Sequence, residues 1–224
     1  MEDSMPTDAV EGPEHAIPER LTWDELQRLP DEVAGGIELW DGRVVRARRG
    51  PFEHQQFSVR MRNALETCAR RAMSGPATGG NGQCWQVGVE TNVFFAPDKS
   101  SFLTPDFLVR HCLERGSDTF AADVALVGEV LSGSDTPKRR NWKMDRYAEA
   151  GIPWYWEVEL DSAKTWDITW VRAYELAPIQ ADGLKVKPLR PAVYVPVGEW
   201  EPGDAGVVFP EPFKIHISWE ELAF

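Results

Sequence analysis

The chain has 224 residues, of which 42% are hydrophobic and 27% charged, values typical of a globular protein with a sizeable core. No apolar run approaches the roughly 20 residues that cross a bilayer, and residues 1–20 lack the basic and apolar segments of a signal peptide. The net charge of −12 argues against a uniformly nucleic-acid-binding surface. We therefore expect a cytoplasmic protein without membrane contacts, with a disordered acidic leader over 1–20 and one domain over 21–224.

The charge is distributed unevenly along the chain. Residues 43–148 carry 16 basic and 11 acidic side chains, whereas both ends are strongly acidic. Because salt screens fields beyond about 10 Å, affinity for a polyanion depends on local clusters of charge. The two basic clusters, at 43–71 and 138–146, are either solvated helix faces or contacts for nucleic-acid phosphates.

The cysteines predict no metal site and no disulfide framework. Cys68, Cys84 and Cys112 are odd in number, and their spacing matches no metal-binding knuckle. We expect three reduced, partly buried thiols.

The first elements are marked by local turn and capping residues. A capping box of Thr22 and Glu25 predicts a helix over 22–29. Asp41-Gly42 between two short apolar runs predicts a β-hairpin over 37–45. The hairpin places Glu38 on a strand.

A long amphipathic helix and a loop follow the hairpin. Apolar residues recur at helical spacing over 52–73, whereas 74–82 is rich in glycine, proline and serine. We therefore predict a helix over 52–73 and a mobile loop over 74–82.

The second half of the chain is rich in strands. A helix over 137–150 interrupts them, capped by Asp135 or Thr136 with Pro137 at its first position, and a last helical turn starts at Ser218. The predicted strands cover 85–95, 107–111, 124–131, 154–160, 168–176, 192–197 and 213–217. This order indicates a mixed α/β fold whose central sheet is formed by 85–160.

Three residues in this sheet region carry the candidate chemistry. Asp106 follows Pro105 at the start of a strand, Glu129 lies inside an apolar strand, and Lys143 lies on the following helix. Burying an isolated carboxylate costs several kcal/mol or more unless a partner compensates its charge. The compensation is either a divalent metal such as Mg²⁺, shared with Asp106, or a buried ion pair with a lysine or arginine and no catalysis.

The motifs around these residues resemble a known nuclease family. Pro105-Asp106 followed by Glu129-Val130-Leu131-Ser132 resembles the PD-(D/E)xK nuclease superfamily. The runs 128–132 and 143–158 resemble, more narrowly, the Uma-two family of restriction-type endonucleases, which also has an acid before an Asp-Gly turn, here Glu38, and a histidine, here His54. The resemblance covers about 20–222.

The resemblance implies a restriction-endonuclease-like fold and a set of site residues. Asp106 and Glu129 would be metal ligands for Mg²⁺ or Mn²⁺, with the carbonyl of Val130 as a further ligand. Lys143 would be the catalytic lysine and Glu38 a supporting acid. In the literal motif the lysine stands two residues after the acid, where this chain has Leu131, so its role has moved to the next helix.

The implied activity is metal-dependent hydrolysis of DNA phosphodiester bonds by an activated water, and RNA remains open as a substrate. A homodimer would suit duplex cleavage. The alternatives are a catalytically inactive nucleic-acid-binding module with the same fold, and an interaction protein with a buried ion pair. The residues predicted to contact nucleic acid are Arg46, Arg48, Arg49, His54, Arg139 and Arg140.

Some further residues lie near the candidate site in the sequence or in the predicted sheet. Tyr147, one helical turn after Lys143, either packs in the core or orients the lysine. The aromatic residues of 154–156 are expected in the core rather than as base-stacking surfaces. Glu90 lies on a predicted strand and could approach the site.

Overall fold

The structure is a computed structural model. It describes residues 17–46, 50–74, 83–131, 136–161, 163–179 and 191–223.

The helices and strands follow one another in mixed order. The helices are α1 (Trp23–Leu26), α2 (Asp31–Ala34), α3 (Phe52–Ser74), α4 (Pro137–Glu149) and α5 (Trp219–Leu222), with a 3-10 turn at Ala121–Asp123. The strands are β1 (Ile37–Trp40), β2 (Arg43–Arg46), β3 (Trp85–Val89), β4 (Val93–Phe94), β5 (Phe102–Leu103), β6 (Phe107–His111), β7 (Thr119–Phe120), β8 (Val124–Leu131), β9 (Trp154–Leu160), β10 (Ile168–Pro178), β11 (Ala192–Trp200), β12 (Val207–Phe209) and β13 (Ile215–Ile217).

A six-stranded mixed sheet forms the centre of the fold. Its strand order is β11-β10-β9-β8-β6-β3, in which β8 and β9 are parallel and the other pairs antiparallel. Apolar residues of α3, such as Phe57, pack on one face, and Tyr147 of α4 packs on the other. This two-sided cover explains why β8 is an almost continuous apolar run.

A smaller sheet, of order β2-β1-β5-β4-β7, lies in the N-terminal half. Its hairpin turns at Asp41 and Gly42, which have φ values of 50° and 72°, as a two-residue turn between antiparallel strands requires. The capping box of Thr22 and Glu25 is formed at α1, and Leu26 of that helix is buried in the small sheet's core.

The structure confirms the mixed α/β fold and most of the predicted elements. The strands β6, β8 and β9 have the predicted bounds, and α3 and α4 end within one residue of theirs. The prediction of a single strand over 85–95 is wrong, because the chain leaves β3 at Glu90, where φ is 44°, and continues as β4 in the small sheet. The first helix is shorter than 22–29, and five short elements were not predicted: α2, β5, β7, β12 and the 3-10 turn.

The prediction that all three cysteines are reduced is also wrong. Cys84 and Cys112 form a disulfide, and their Cα atoms lie 5.2 Å apart. The reason is the register of β3 and β6, which pairs Trp85 with His111 and so places the adjoining cysteines side by side. Cys68 is a buried free thiol.

The predicted leader and loop lie mostly outside the described residues, which omit 1–16 and 75–82. The end of the leader is folded: Glu19 accepts a backbone hydrogen bond from Val44, and Arg20 forms a β-bridge with Arg43. None of the described helices is long and apolar enough to cross a membrane.

Gly128 provides a test of the packing beneath the candidate site. A β-carbon at this position would overlap the Phe107 ring on the paired strand β6. We expect Gly128→Ala to lower the free energy of unfolding by about 1–3 kcal/mol, the usual cost of overpacking a core, as measured by urea denaturation. Combining it with Phe107→Leu should recover part of that loss, whereas fully additive costs would contradict a direct clash.

Candidate active site

Strand pairing brings Asp106 and Glu129 together. The antiparallel register pairs Phe107 with Gly128. Asp106 precedes Phe107 and Glu129 follows Gly128, so these two acids are neighbours across the two strands. The Asp106 carboxylate accepts a hydrogen bond of 2.6 Å at Oδ2 from the backbone N–H of Val130. This bond fixes Asp106 against the strand that carries Glu129.

Helix α4 places Lys143 over the same strand. Its Nζ lies 3.1 Å from Oε1 and 2.9 Å from Oε2 of Glu129, and 3.5 Å from Oε1 of Glu38. Tyr147, four residues later on the same helix face, donates a hydrogen bond of 2.7 Å from its hydroxyl to Oε1 of Glu129. Tyr147 therefore packs in the core and also contacts the site.

Glu38 reaches the cluster from β1 of the small sheet. Only 1% of its surface is exposed, and its Oε1 accepts a hydrogen bond of 2.9 Å from the backbone N–H of Thr104. Its Oε2 is buried without a hydrogen bond among the described residues and lies 3.8 Å from the Arg139 guanidinium. A buried carboxylate oxygen in this state is costly unless another cation or donor occupies the cleft.

His54, in the first turn of α3, completes the cluster. Its Nε2 lies 3.0 Å from the carbonyl oxygen of Val130 and 3.4 Å from Oδ2 of Asp106. The side chain is buried, and Gly50 packs directly on its ring. His54, which was predicted to contact nucleic acid, is thus held against two of the predicted metal ligands.

Burial and the neighbouring charges control the protonation of Glu129. Burial raises the pKa of Glu129 to about 7; Lys143 opposes this shift, and the charges of Asp106 and Glu38 add to it. The pKa of Lys143 is raised in turn, because the three carboxylates outweigh the desolvation that favours its neutral form. Lys143 therefore stays charged at neutral pH.

These residues form the inner end of a cleft of about 440 Å³. Glu38, His54, Asp106, Glu129 and Lys143 line it, and the cleft extends outward past Glu90 towards α1 and α2. The four residues predicted to carry catalysis thus converge on one cavity.

The predicted nucleic-acid contacts are only partly assembled. Arg139 lines the cleft, and Arg46 is exposed at the end of β2. Arg140 instead forms two short hydrogen bonds with the carboxylate of Glu157, which makes it less available to a phosphate. Arg48 and Arg49 lie outside the described residues.

Sequence reasoning missed a second buried carboxylate. Glu157 on β9 is fully buried and lies level with Glu129 on the adjacent parallel strand. It accepts hydrogen bonds from the hydroxyls of Tyr155 and Tyr174 as well as from Arg140. The signal was present, since Glu157, like Glu129, is an acid inside an apolar run.

A metal ion would find few protein ligands here. In the described part of the chain, no group of three or more His, Cys, Asp or Glu side chains is arranged to hold an ion. The available donors are two carboxylates and the Val130 carbonyl. Mg²⁺ is commonly held by one or two carboxylates together with waters and substrate phosphates, so this donor set fits such an ion with its substrate.

The His54 contacts predict an unusual titration in the metal-free protein. Burial opposes the charged ring, but the hydrogen bond and charge of Asp106 outweigh it and raise the pKa of His54 from 6.5 to about 9. The stabilisation from the protonated ring is then complete below pH 6.5 and lost as the pH rises through about 9. An NMR titration of His54 in EDTA should show this pKa. The pKa should be lower in Asp106→Asn and unchanged in the surface variant Asp24→Asn. A His54 pKa that Asp106→Asn leaves unchanged would contradict the role of Asp106.

Comparison with known proteins supports the fold and the family. The model of the Uma2 family, described as "Putative restriction endonuclease", matches residues 23–197. A crystal structure from Anabaena variabilis ATCC 29413, described as a putative nuclease belonging to DUF820, shares 14% sequence identity with a TM-score of 0.56, covering 90% of this chain and 97% of that one. This likeness shows the fold alone, and no curated protein matches the chain. Because the family match spans most of the chain and includes all four residues predicted to carry catalysis, the chain belongs to the Uma2 family.

Proposed function

We propose that this protein is a metal-dependent endonuclease that hydrolyses phosphodiester bonds of DNA, using the inner end of the cleft. The observation that carries the proposal is the convergence of Glu38, Asp106, Glu129 and Lys143 on one cavity. The cations that line the cavity are Lys143, Arg139 and His54, and five carboxylates line it, those of Asp31, Glu38, Glu90, Asp106 and Glu129. The pocket therefore has excess negative charge. A polyanionic substrate would be repelled unless a cation entered with it.

The residues that would hold this cation are Asp106, Glu129 and the carbonyl of Val130. Each carboxylate oxygen has two lone pairs, so the hydrogen bonds already present leave capacity for a metal. The Oε2 of Glu38, which accepts no hydrogen bond from the described residues, adds negative charge beside them. A bound Mg²⁺ or Mn²⁺ would polarise the scissile phosphate and lower the pKa of a water.

The chain's own residues would position and stabilise the reacting groups. Lys143 stays charged and lies within hydrogen-bond distance of Glu129, so it would donate to the phosphate oxygens as their charge increases. His54 holds the Val130 carbonyl and Asp106 in place. Tyr147 fixes the orientation of Glu129.

One observation favours the rival interpretation of an inactive nucleic-acid-binding module. Both carboxylate oxygens of Glu129 are engaged by Lys143, so this ion pair by itself compensates the buried acid. An inactive module would bind nucleic acid equally well in EDTA and would not cut at any metal concentration. The predicted homodimer stays a prediction that analytical ultracentrifugation tests.

Removing the lysine tests the catalytic role. We expect Lys143→Met to slow nicking of supercoiled plasmid and of circular single-stranded DNA in Mg²⁺ by about 100-fold or more, the usual effect of removing one group that stabilises transition-state charge. The matched control is Lys138→Met, an exposed lysine on the same helix, which should cut at the wild-type rate. Equal rates for the two variants, both folded by circular dichroism, would contradict the role of Lys143.

Direct metal binding tests the ligand assignment without relying on cleavage. Wild-type protein should bind Mn²⁺, measured from the loss of the free-ion EPR signal, whereas Asp106→Asn should lose most of that binding and Asp24→Asn should keep it. Because the pKa of Glu129 is raised to about 7, Mn²⁺ affinity should fall as the pH decreases below 7. Binding that is unaffected by Asp106→Asn would place the ion elsewhere.

A further inference from the structure

The geometry points to a nucleobase subsite at the outer end of the cleft. We define this subsite by Trp23, Gln27, Asp31, Glu90 and Asn92, which line the same cavity as the carboxylate cluster. It would bind one unpaired base beside the scissile phosphate and prefer a base whose edge carries hydrogen-bond donors. This inference rests on the proposed function, because it assigns the substrate of that same site.

The chemistry of the cleft changes from one end to the other. Arg139 and Lys143 line the inner end, where a phosphate would lie. The polar residues of the subsite are two amides and two carboxylates, and no lysine or arginine among the described residues lines that end. Lys99 lies behind it, with its Nζ 5.3 Å from the centroid of the Trp23 ring and paired with Asp118. Amides and carboxylates recognise base edges, whereas phosphates require cations or N–H donors.

Apolar side chains supply surface for the faces of a base. Trp23 is partly exposed and supplies most of this surface, and the almost fully buried Leu26, Ile37 and Phe102 also line the cavity. Trp23 packs edge-on against Phe102, with ring centroids 5.4 Å apart, which fixes its ring. Base–aromatic contact contributes roughly 1–3 kcal/mol per base in nucleic-acid complexes.

The polar groups of the subsite are available to a ligand. The side chains of Gln27, Asp31 and Glu90 form no hydrogen bond or ion pair with other described residues. Asn92 uses its amide oxygen to accept a hydrogen bond from Thr104, which leaves its N–H groups for a base carbonyl. Between the two ends, the buried Oε2 of Glu38 lacks a hydrogen-bond partner within the described ranges.

The backbone at Glu90 is consistent with a functional turn. Its φ of 44° is uncommon for a residue other than glycine. Its backbone N–H donates a hydrogen bond of 3.3 Å to the carbonyl of Asp106, so the turn is tied directly to the catalytic cluster. Strained conformations of this kind persist where the surrounding structure holds them, often at ligand sites.

The volume of the cleft suits an occupant of about the size of one nucleotide. Its volume of about 440 Å³ lies within the roughly 300–1,000 Å³ range of small-ligand sites. A paired base cannot present its Watson–Crick edge to Asp31 and Gln27, and flipping a base out of a duplex costs a few kcal/mol. Single-stranded substrate is therefore preferred, and guanine, whose N1–H and N2–H groups both donate, suits the carboxylates best.

The test uses fluorescein-labelled oligothymidylate probes that carry one central dG, dA, dC or dT. Fluorescence anisotropy in the presence of Ca²⁺ measures the affinity of the protein for each probe. We expect the dG probe to bind wild-type protein about tenfold more tightly than the dT probe, the discrimination of a good polar base contact. Asp31→Ala should reduce that ratio below threefold. The matched control is Glu32→Ala, the next acid in the first turn of α2, which is absent from the cleft lining and should preserve the ratio.

The outcomes separate the subsite from the proposed activity. Equal affinities of wild-type protein for all four probes, or a dG preference that survives Asp31→Ala, would overturn the subsite even if plasmid cutting is observed. A dG preference that depends on Asp31, without cutting in Mg²⁺ or Mn²⁺, would support the subsite and reject the nuclease activity. Tighter binding of a duplex probe than of its single strand would also overturn the inference.

Discussion

The buried contact between Glu129 and Lys143 is the interaction on which the site depends. Glu129 lies on β8, in the interior of the large sheet, and helix α4 delivers the lysine to it. Neither charge would be tolerated alone at this depth, because desolvation of a lone ion costs several kcal/mol. The Glu129 carboxylate and the Lys143 ammonium therefore each require the other. This ion pair helps to hold α4 in its position over the sheet.

A second pair repeats this arrangement on the neighbouring strand. Arg140, one helical turn before Lys143, binds the buried Glu157 of β9. The first turns of α4 are thus held over the sheet by two cation–carboxylate contacts. Buried pairs of this kind add little net stability compared with apolar packing. We interpret them as positional constraints that hold the lysine over the cleft.

The two pairs differ in how completely their charges are compensated. Glu157 is satisfied by an arginine and two tyrosine hydroxyls. Glu129 shares its lysine with Glu38 and lies beside Asp106, and the cavity as a whole has five carboxylates against Lys143, Arg139 and His54. Under the proposed function, this excess negative charge suits the cavity to a cation and a phosphate, whereas Glu157 forms a structural ion pair.

The sequence by itself determined the main helices and strands of the large sheet and pointed to the residues that cluster at the cleft. An acid in an apolar strand, an aspartate at a strand start and a lysine on the next helix are local patterns, and apolar periodicity places β6, β8 and β9 correctly. The family resemblance added Glu38 and His54. The element predictions succeed where each depends on residues close together in the chain, whereas the roles of the clustered residues stay predictions.

Only the tertiary structure decided which residues meet. The disulfide of Cys84 and Cys112 depends on strand register, and the partner of Arg140 depends on the parallel pairing of β8 with β9. The break at Glu90 and the cleft between α1, α2 and the large sheet depend on two sheets packing together. Such contacts join residues far apart in the chain, and their geometry arises from packing that no local pattern encodes.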